Sequence, residues 1–397
     1  GIATKGFALL LALSGMLAIV AMLMQPTSLK EINWKSAAPA LPFLIFLGSS
    51  LFWTRADNGA ESFIVLISVI VFTVCLSSVF FKTTEEWKNK YRNRLSISLL
   101  LGVLASLTVG TYPIIWPELL AILRNISNQT ELGNIELLRQ GNRSLSVTPA
   151  VVFLLAGLYW QKARGPVIVL IAITFFVTAN SHSQTAFLAM SGGSACFLVS
   201  YFYKYSGRKL IFVSVALGLL ASPFIFLKSF EHKWVTNYGP QLIQQKASGE
   251  YREWIYFVYA RETLTRPFFG HGFEATHNFA PDNLEDYLEL ARERRLGMAV
   301  ATSKRNGTVQ AHAHNLPLQI IFEFGYVGAF LFLPALWALL NIKFVKMGRA
   351  VRAAAVGAVI GLLLFAHSIW QSWLLASLGF LYFYITILYQ REHQKND

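Results

Sequence analysis

The stretch Gln310-Ala-His-Ala-His-Asn-Leu-Pro-Leu-Gln-Ile-Ile-Phe-Glu-Phe-Gly-Tyr-Val-Gly328 divides the chain. Before it lies the longest polar segment of the sequence. After it, the apolar run 316–340 is long enough to cross a bilayer, which takes about 20 residues. His312 and His314 therefore fall at a membrane surface. Asn315 has N-cap chemistry and Pro317 suits a first turn, so the spacing predicts a helix that starts here with its positive dipole end beside His314. That end disfavours an imidazolium. A neutral imidazole accepts a proton from a hydroxyl, which is what a general base needs near neutral pH.

Working outward, the whole chain has the composition of a polytopic all-α membrane protein. Of 397 residues 54% are hydrophobic and 14% charged, against roughly a quarter charged in a soluble protein. The net charge of +13 gathers in short loops between apolar runs, as the positive-inside tendency predicts. No basic stripe is interleaved with aromatic residues, so a nucleic-acid partner is not expected. Cys75 and Cys196 both lie in apolar runs and read as small buried residues.

About eleven spans are expected, over 6–24, 38–53, 63–81, 95–116, 145–160, 165–180, 184–203, 210–227, 316–340, 353–366 and 368–389. Loops carrying Lys82 to Arg94, Lys162 and Arg164, Lys204 to Lys209, and Lys343 to Arg352 alternate consistently and read as cytoplasmic. The segment 228–314 then lies outside. The same alternation puts Gly1 outside, so a preceding transmembrane helix is expected, giving about twelve in the full protein. The expected organisation is a bundle over 1–227, an external loop with amphipathic helices over 228–314, and a last group of three helices with the cytoplasmic tail over 315–397. Within the external part, helices are expected over 248–265 and 283–296, a Pro/Gly turn over 266–273, and a mobile stretch over 299–309. A second outer loop is expected over 124–143.

Several side chains in this frame can carry chemistry. His314 reads either as a base or as an interfacial ring. Glu323 lies inside an apolar run, where lipid penalises an acid unless protein pairs it; it reads as functional or as the partner of a neighbouring helix. Arg252 reads as a snorkelling charge or as a fork of donors for a phosphate. Arg143, Arg261 and Arg266 are weaker versions of the same idea. The turn Asn180-Ser-His-Ser-Gln-Thr185 gathers polar groups at one membrane face. A zinc set from His312, His314 and His271 or His277 lacks supporting Cys or carboxylate spacing, so no metal is expected. P-loop, dinucleotide and Gly-x-Ser-x-Gly motifs are missing.

His314-Asn315, nine residues, then Gly325-Tyr-Val-Gly328 resembles the His-[Asn/Ser/Gln]-x9-Gly-x-x-[Gly/Thr/Tyr] signature of the O-antigen ligases (WaaL), which share a superfamily with the Wzy-type polymerases. Arg252 with Arg266-Pro-Phe-Phe-Gly-His-Gly272 resembles that superfamily's external Arg and Pro-x-x-Gly-x-Gly turn. Ser181-His-Ser-Gln-Thr-Ala186 is similar to its Ser-x-Ser-Arg-Thr-Ala turn, with Gln184 where the family carries Arg. The resemblance implies a GT-C-like glycosyltransferase in the bacterial inner membrane with its site facing the periplasm. It implies transfer of a preassembled glycan from undecaprenyl pyrophosphate to a sugar hydroxyl of lipid A-core, without cofactor or metal. In that scheme His314 is the base; Arg252, Arg143, Gln184 and Arg261 hold the pyrophosphate; His312, Asn315, Glu323, His182 and His271 support them. A Wzy-type polymerase and an oligosaccharyltransferase are alternatives within the same chemistry. A lipid or solute transporter is the alternative from another class.

Overall fold

The computed structural model describes residues 38–81, 85–115, 131–181, 183–202, 207–232, 248–277, 279–294, 313–341, 348–365 and 368–388, with positions 16, 18, 296, 300, 303 and 307–309. Every regular element among them is helical. In chain order these are α1 (Leu41–Ser49), α2 (Gly59–Phe81), α3 (Glu85–Ile115), α4 (Glu131–Tyr159), α5 (Arg164–Asn180), α6 (Gln184–Phe202) and α7 (Gly207–Glu231). They continue as α8 (Ser248–Thr263), α9 (Leu284–Glu293), α10 (Leu316–Leu340), α11 (Arg349–Phe365) and α12 (Ser372–Leu388). Short 3-10 turns flank α1 at Ala38–Ala40 and Ser50–Phe52.

The chain is an all-α protein with several long apolar helices, as a multi-span membrane protein requires. Four stretches are long and apolar enough to cross a bilayer: Gly59–Ser77, Gln184–Phe202, Ile211–Glu231 and Leu316–Ala338. Four shorter apolar helices, Ala38–Phe52, Asn93–Thr108, Arg164–Asn180 and Ser372–Ile385, accompany them. The described residues thus show four spans and not the expected eleven. The short helices fall below the length of a bilayer crossing unless thinned membrane or flanking residues make up the difference. The expected first span lies outside the described residues except for positions 16 and 18.

Two segments expected as loops are helical. α3 begins at Glu85, so the basic stretch before the fourth span forms its first turns. α4 begins at Glu131 and takes in most of the expected outer loop 124–143. Glu, Leu, Gln and Arg are good helix formers, and both helices continue in this polar sequence beyond their apolar parts.

Small residues set the closest helix pair. α11 lies along α6 and also touches α4. A Cβ added at Gly357 would meet Cys196 Sγ at 2.6 Å and the Gly192 carbonyl at 2.8 Å, and one at Gly361 would meet the Leu188 carbonyl at 2.7 Å. This four-residue spacing lets two backbones touch where lipid supplies no hydrophobic drive for association. On the other side, α7 packs on both α8 and α10.

The segment that carries α8 and α9 closes over the first half of α10. α8 is buried from Glu253 to Ala260, because its rings are taken up on two sides. Phe230 of α7 stacks on Phe257 at 4.2 Å, and Tyr259 meets Phe322 of α10 edge-on at 4.8 Å. α9 is amphipathic, burying Tyr287, Leu288 and Ala291. Of the stretch expected to be mobile, Val309 is buried and its N–H donates to the Phe279 carbonyl at 2.9 Å, so that end is docked.

α10 is broken where an unbroken helix was expected. Gly325 has φ 62° and ψ −168°, far from helical values. The turn 266–273 fills the gap with its main chain. His271 N and Gly272 N donate to the carbonyls of Phe322 and Glu323 at 2.9 and 2.8 Å, while Tyr326 N and Val327 N donate to those of Pro267 and Phe268 at 2.8 and 3.1 Å. Irregular backbone at membrane depth is tolerated when protein satisfies its polar groups in this way.

Candidate active site

The site is built on α8 and the start of α10. Asn315 caps α10: its Oδ1 accepts from Leu318 N at 3.0 Å, and its Nδ2 donates to the Leu364 carbonyl near the end of α11 at 3.3 Å. The residue before the cap, His314, is buried and has a left-handed backbone, φ 53°. Histidine enters that region more readily than most residues. The Tyr256 hydroxyl donates to the His314 carbonyl at 3.1 Å and so ties the bend to α8. Burial pushes the Tyr256 phenol up to about 12, with the Arg252 charge acting against it, so near neutral pH the hydroxyl keeps the proton it donates.

Arg252 stands one helical turn before Tyr256, on the same face of α8. Its Nη1 donates to Gln184 Oε1 at 2.9 Å, at the start of α6. Next to Gln184, the Ser183 hydroxyl lies 3.1 Å from that of Ser146 on α4 and bonds the Asn142 carbonyl at 3.4 Å. Arg143 follows Asn142, and its guanidinium lies 5.8 Å from the centre of the Trp373 ring on α12. Trp373 Nε1 donates to Gln371 at 2.6 Å, and Gln371 N donates to the Ser368 carbonyl at 3.4 Å. The Ser368 hydroxyl accepts from Gln319 of α10 at 3.0 Å. The contacts thus form a closed circuit through α10, α8, α6, α4 and α12. Arg143, Gln184, Arg252, His314 and Asn315 all lie on it.

The remaining candidates are placed differently. Arg261 is nine residues beyond Arg252, about two and a half turns, and so points to the other side of α8; there it covers Tyr287 of α9 at 5.4 Å. His271 stacks on Phe322 at 4.4 Å with Nε2 bonded to the Glu262 carbonyl at 3.0 Å. Burial holds its imidazole down at about 4, so the ring is neutral. Glu323 is 0% exposed. Its Oε1 accepts from Thr276 Oγ1 at 2.6 Å and Gln319 Nε2 at 3.0 Å, and its Oε2 accepts from Trp370 Nε1 at 2.6 Å. It knits α10 to the chain just after the turn 266–273 and to the α11–α12 connection. His182 and His312 lie outside the described residues. Among the described residues no three His, Cys, Asp or Glu side chains gather as a metal set.

Ser183 stood in the turn 181–186 read from sequence, whereas Tyr256, Ser146 and Trp373 were not singled out. Tyr256 left one signal, its four-residue offset from Arg252 on the same helix. The others are visible only once α4, α6 and α12 are brought together.

Residues 167–333 match the family model Wzy_C, described as O-antigen ligase. Relatives include the "Putative polysaccharide ligase" of Rickettsia felis, 25% identical over 337 residues, which are 83% of this chain and 74% of that protein. The like-named proteins of Rickettsia typhi and Rickettsia prowazekii are each 25% identical over 254 residues. Each of those two alignments covers 63% of this chain and 58% of the relative. No solved structure gives a significant match. The matched segment runs from α5 into the second half of the broken α10 and holds Gln184, Arg252, His314 and the Gly325 break; over this segment the chain is similar to the O-antigen ligase family, and over a longer stretch to the polysaccharide ligases named in Rickettsia.

Proposed function

We propose that the chain is an inverting, metal-independent glycosyltransferase that moves a preassembled glycan from undecaprenyl pyrophosphate to a sugar hydroxyl of lipid A-core, at the periplasmic face of the bacterial inner membrane. The observation that carries this reading is that one face of α8 holds both a guanidinium and the tether of the candidate base. Arg252 reaches Gln184 and, one turn on, Tyr256 fixes His314. An anion-binding group carried on one rigid helix and a base tethered to that same helix suit a displacement in which a proton leaves the acceptor while negative charge develops on the leaving group.

In the proposed step His314 takes the proton of the acceptor hydroxyl and the oxygen attacks the anomeric carbon. The bond from that carbon to the pyrophosphate oxygen breaks, and the departing undecaprenyl pyrophosphate carries the charge. Arg252 holds that charge, with Gln184 as a neutral hydrogen-bonding partner where the turn pattern it resembles has Arg. Arg143 on the same circuit adds positive charge from α4. The ligase reading also follows the printed description of the Rickettsia relatives. The three-part organisation expected from sequence, with 228–314 external, is proposed with it.

The test uses purified protein in proteoliposomes with an undecaprenyl pyrophosphate-linked glycan and lipid A-core as acceptor. His314→Asn is the informative variant, because Asn adopts left-handed backbone more easily than Ala. Its melting temperature is expected within a few degrees of wild type and its transfer rate lower by about 10²–10⁴-fold, the range for loss of a general base. Wild-type transfer by His314→Asn removes the assignment. Elongation of a lipid-linked repeat unit in place of lipid A-core would correct the acceptor.

A further inference from the structure

The turn that mends α10 carries two largely exposed phenylalanines. Phe268 is 66% exposed and Phe269 58%. Their main chain is fixed in depth, because the Pro267 and Phe268 carbonyls accept from Tyr326 N and Val327 N of α10. That point lies just past the Gly325 break, inside the stretch Leu316–Ala338 that is long and apolar enough to cross a bilayer. Just beyond it on α10, Phe330 is 72% exposed. On the neighbouring apolar helix Phe46 lies 6.4 Å from Phe269 and 5.9 Å from Trp53, and Phe52 is 93% exposed. The phenylalanines of the tip thus continue the bare apolar surface of the membrane-crossing helices.

We infer that the Phe268–Phe269 tip is inserted into the acyl chains of the outer leaflet, so that the external segment is anchored in the bilayer and does not stand wholly in water. Three further features favour this occupant. Three carbonyls at the tip are already bonded: Arg266 O accepts from Gly270 N at 3.0 Å, and Pro267 and Phe268 O are held by α10. Each such bond lowers the usual penalty against non-helical backbone in lipid. Proline at position 267 has no N–H to satisfy. Arg266, exposed at the start of the tip, has the length and charge to reach lipid phosphates while the aromatic pair lies deeper. Left in water, each phenylalanine would forgo roughly 1.5–3 kcal/mol of burial. The inference concerns how the chain sits in the membrane and does not depend on donor or acceptor.

The experiment is site-directed spin labelling of the full chain in lipid nanodiscs, with Cys75 and Cys196 replaced by alanine. Labels are placed at Phe268→Cys, Phe269→Cys, Phe330→Cys as the lipid reference and Glu289→Cys as the aqueous reference. Power saturation then compares collisions with oxygen and with a water-soluble nickel chelate. Both tip labels are expected to match Phe330→Cys, oxygen-accessible and nickel-poor. Nickel accessibility at the Glu289→Cys level for either tip label overturns the inference, whether water or a soluble partner protein covers the tip. Both phenylalanines are exposed, so neither replacement opens the core; if one variant fails to fold, the other label decides alone.

Discussion

His314 occupies a backbone conformation that costs an L-residue about 1–2 kcal/mol, and bonds on both sides hold it there: Tyr256 on its carbonyl, and the Asn315 cap immediately after it. The cap and the first-turn proline were legible in the sequence because capping is local. The Arg252–Gln184 bond was not, since it joins residues 68 apart in the chain. Glu323 was legible as an acid that needed partners, but Thr276 and Trp370 as those partners were not. Two other buried groups give this region a testable pH response. Burial holds His271 down at about 4 and pushes Glu274 up to about 7, with a hydrogen bond from Ser62 opposing the latter. Below its ordinary value of 6.5 the unfolded His271 takes a proton that the folded ring refuses until about 4. Stability therefore falls as pH drops through that window, by about 1.4 kcal/mol per unit. Folded Glu274 keeps its proton up to about 7, whereas the unfolded carboxyl loses it above 4.5, so its contribution falls as pH rises through that window. Between 4.5 and 6.5 the two slopes oppose each other. Glu274→Gln removes one of them. Its melting temperature in nanodiscs is expected to drop more steeply from pH 6.5 to 4.5 than that of wild type, and superimposable profiles would refute the pairing.

At the scale of elements, the Gly325-x-x-Gly328 and Pro267-x-x-Gly-x-Gly272 patterns turn out to be two halves of one joint. Sequence reading found both motifs but took 316–340 as one continuous helix, because an apolar run looks the same whether its hydrogen-bond ladder is whole or mended by another segment. The decisive fact is tertiary. A Cβ at Gly325 would lie 2.3 Å from the Phe268 carbonyl carbon and oxygen, and one at Gly270 would lie 2.5 Å from the Glu323 carbonyl. These are main-chain atoms that cannot rotate away. Gly307 supplies the contrast, since it has a similar φ of 66° but nothing within 4 Å of its Cβ. Gly307→Ala should therefore show backbone strain alone, about 1 kcal/mol or a melting shift of about 2–4 °C. Gly325→Ala adds the collision and should lower the melting temperature by about 10 °C or more, or leave little folded protein after detergent extraction. Equal small shifts for the two variants would mean that the turn does not seat in the break.

Across the whole molecule, the α6–α11 pair ties the two sides of the site to one rigid body. Gln184 stands at the start of α6, and the Leu364 carbonyl that receives Asn315 stands at the end of α11. Between them Gly361 sits against the Leu188 carbonyl and the Ala189 Cα, where a Cβ would come within 2.7 and 2.9 Å. Composition and charge alternation identified a helical membrane protein and most of its apolar runs. They could not show that Gly357 and Gly361 face Gly192 and Leu188, because a four-residue spacing of small residues names a face and not its partner. Gly361→Val forces the two helices apart one turn inside the site. It should move Gln184 relative to the α10 cap, reducing glycan transfer by at least about tenfold, since displacements of about 1 Å at a reacting centre have effects of this size and larger. It should also cost thermal stability. Gly102→Val on α3 is the matched control, because nothing lies within 4 Å of its Cβ; transfer and melting temperature should both stay at wild type. If Gly361→Val transfers glycan as well as Gly102→Val does, the spacing of α6 and α11 does not set the geometry of the site, and the alignment of Arg252 with His314 must rest on α8 alone.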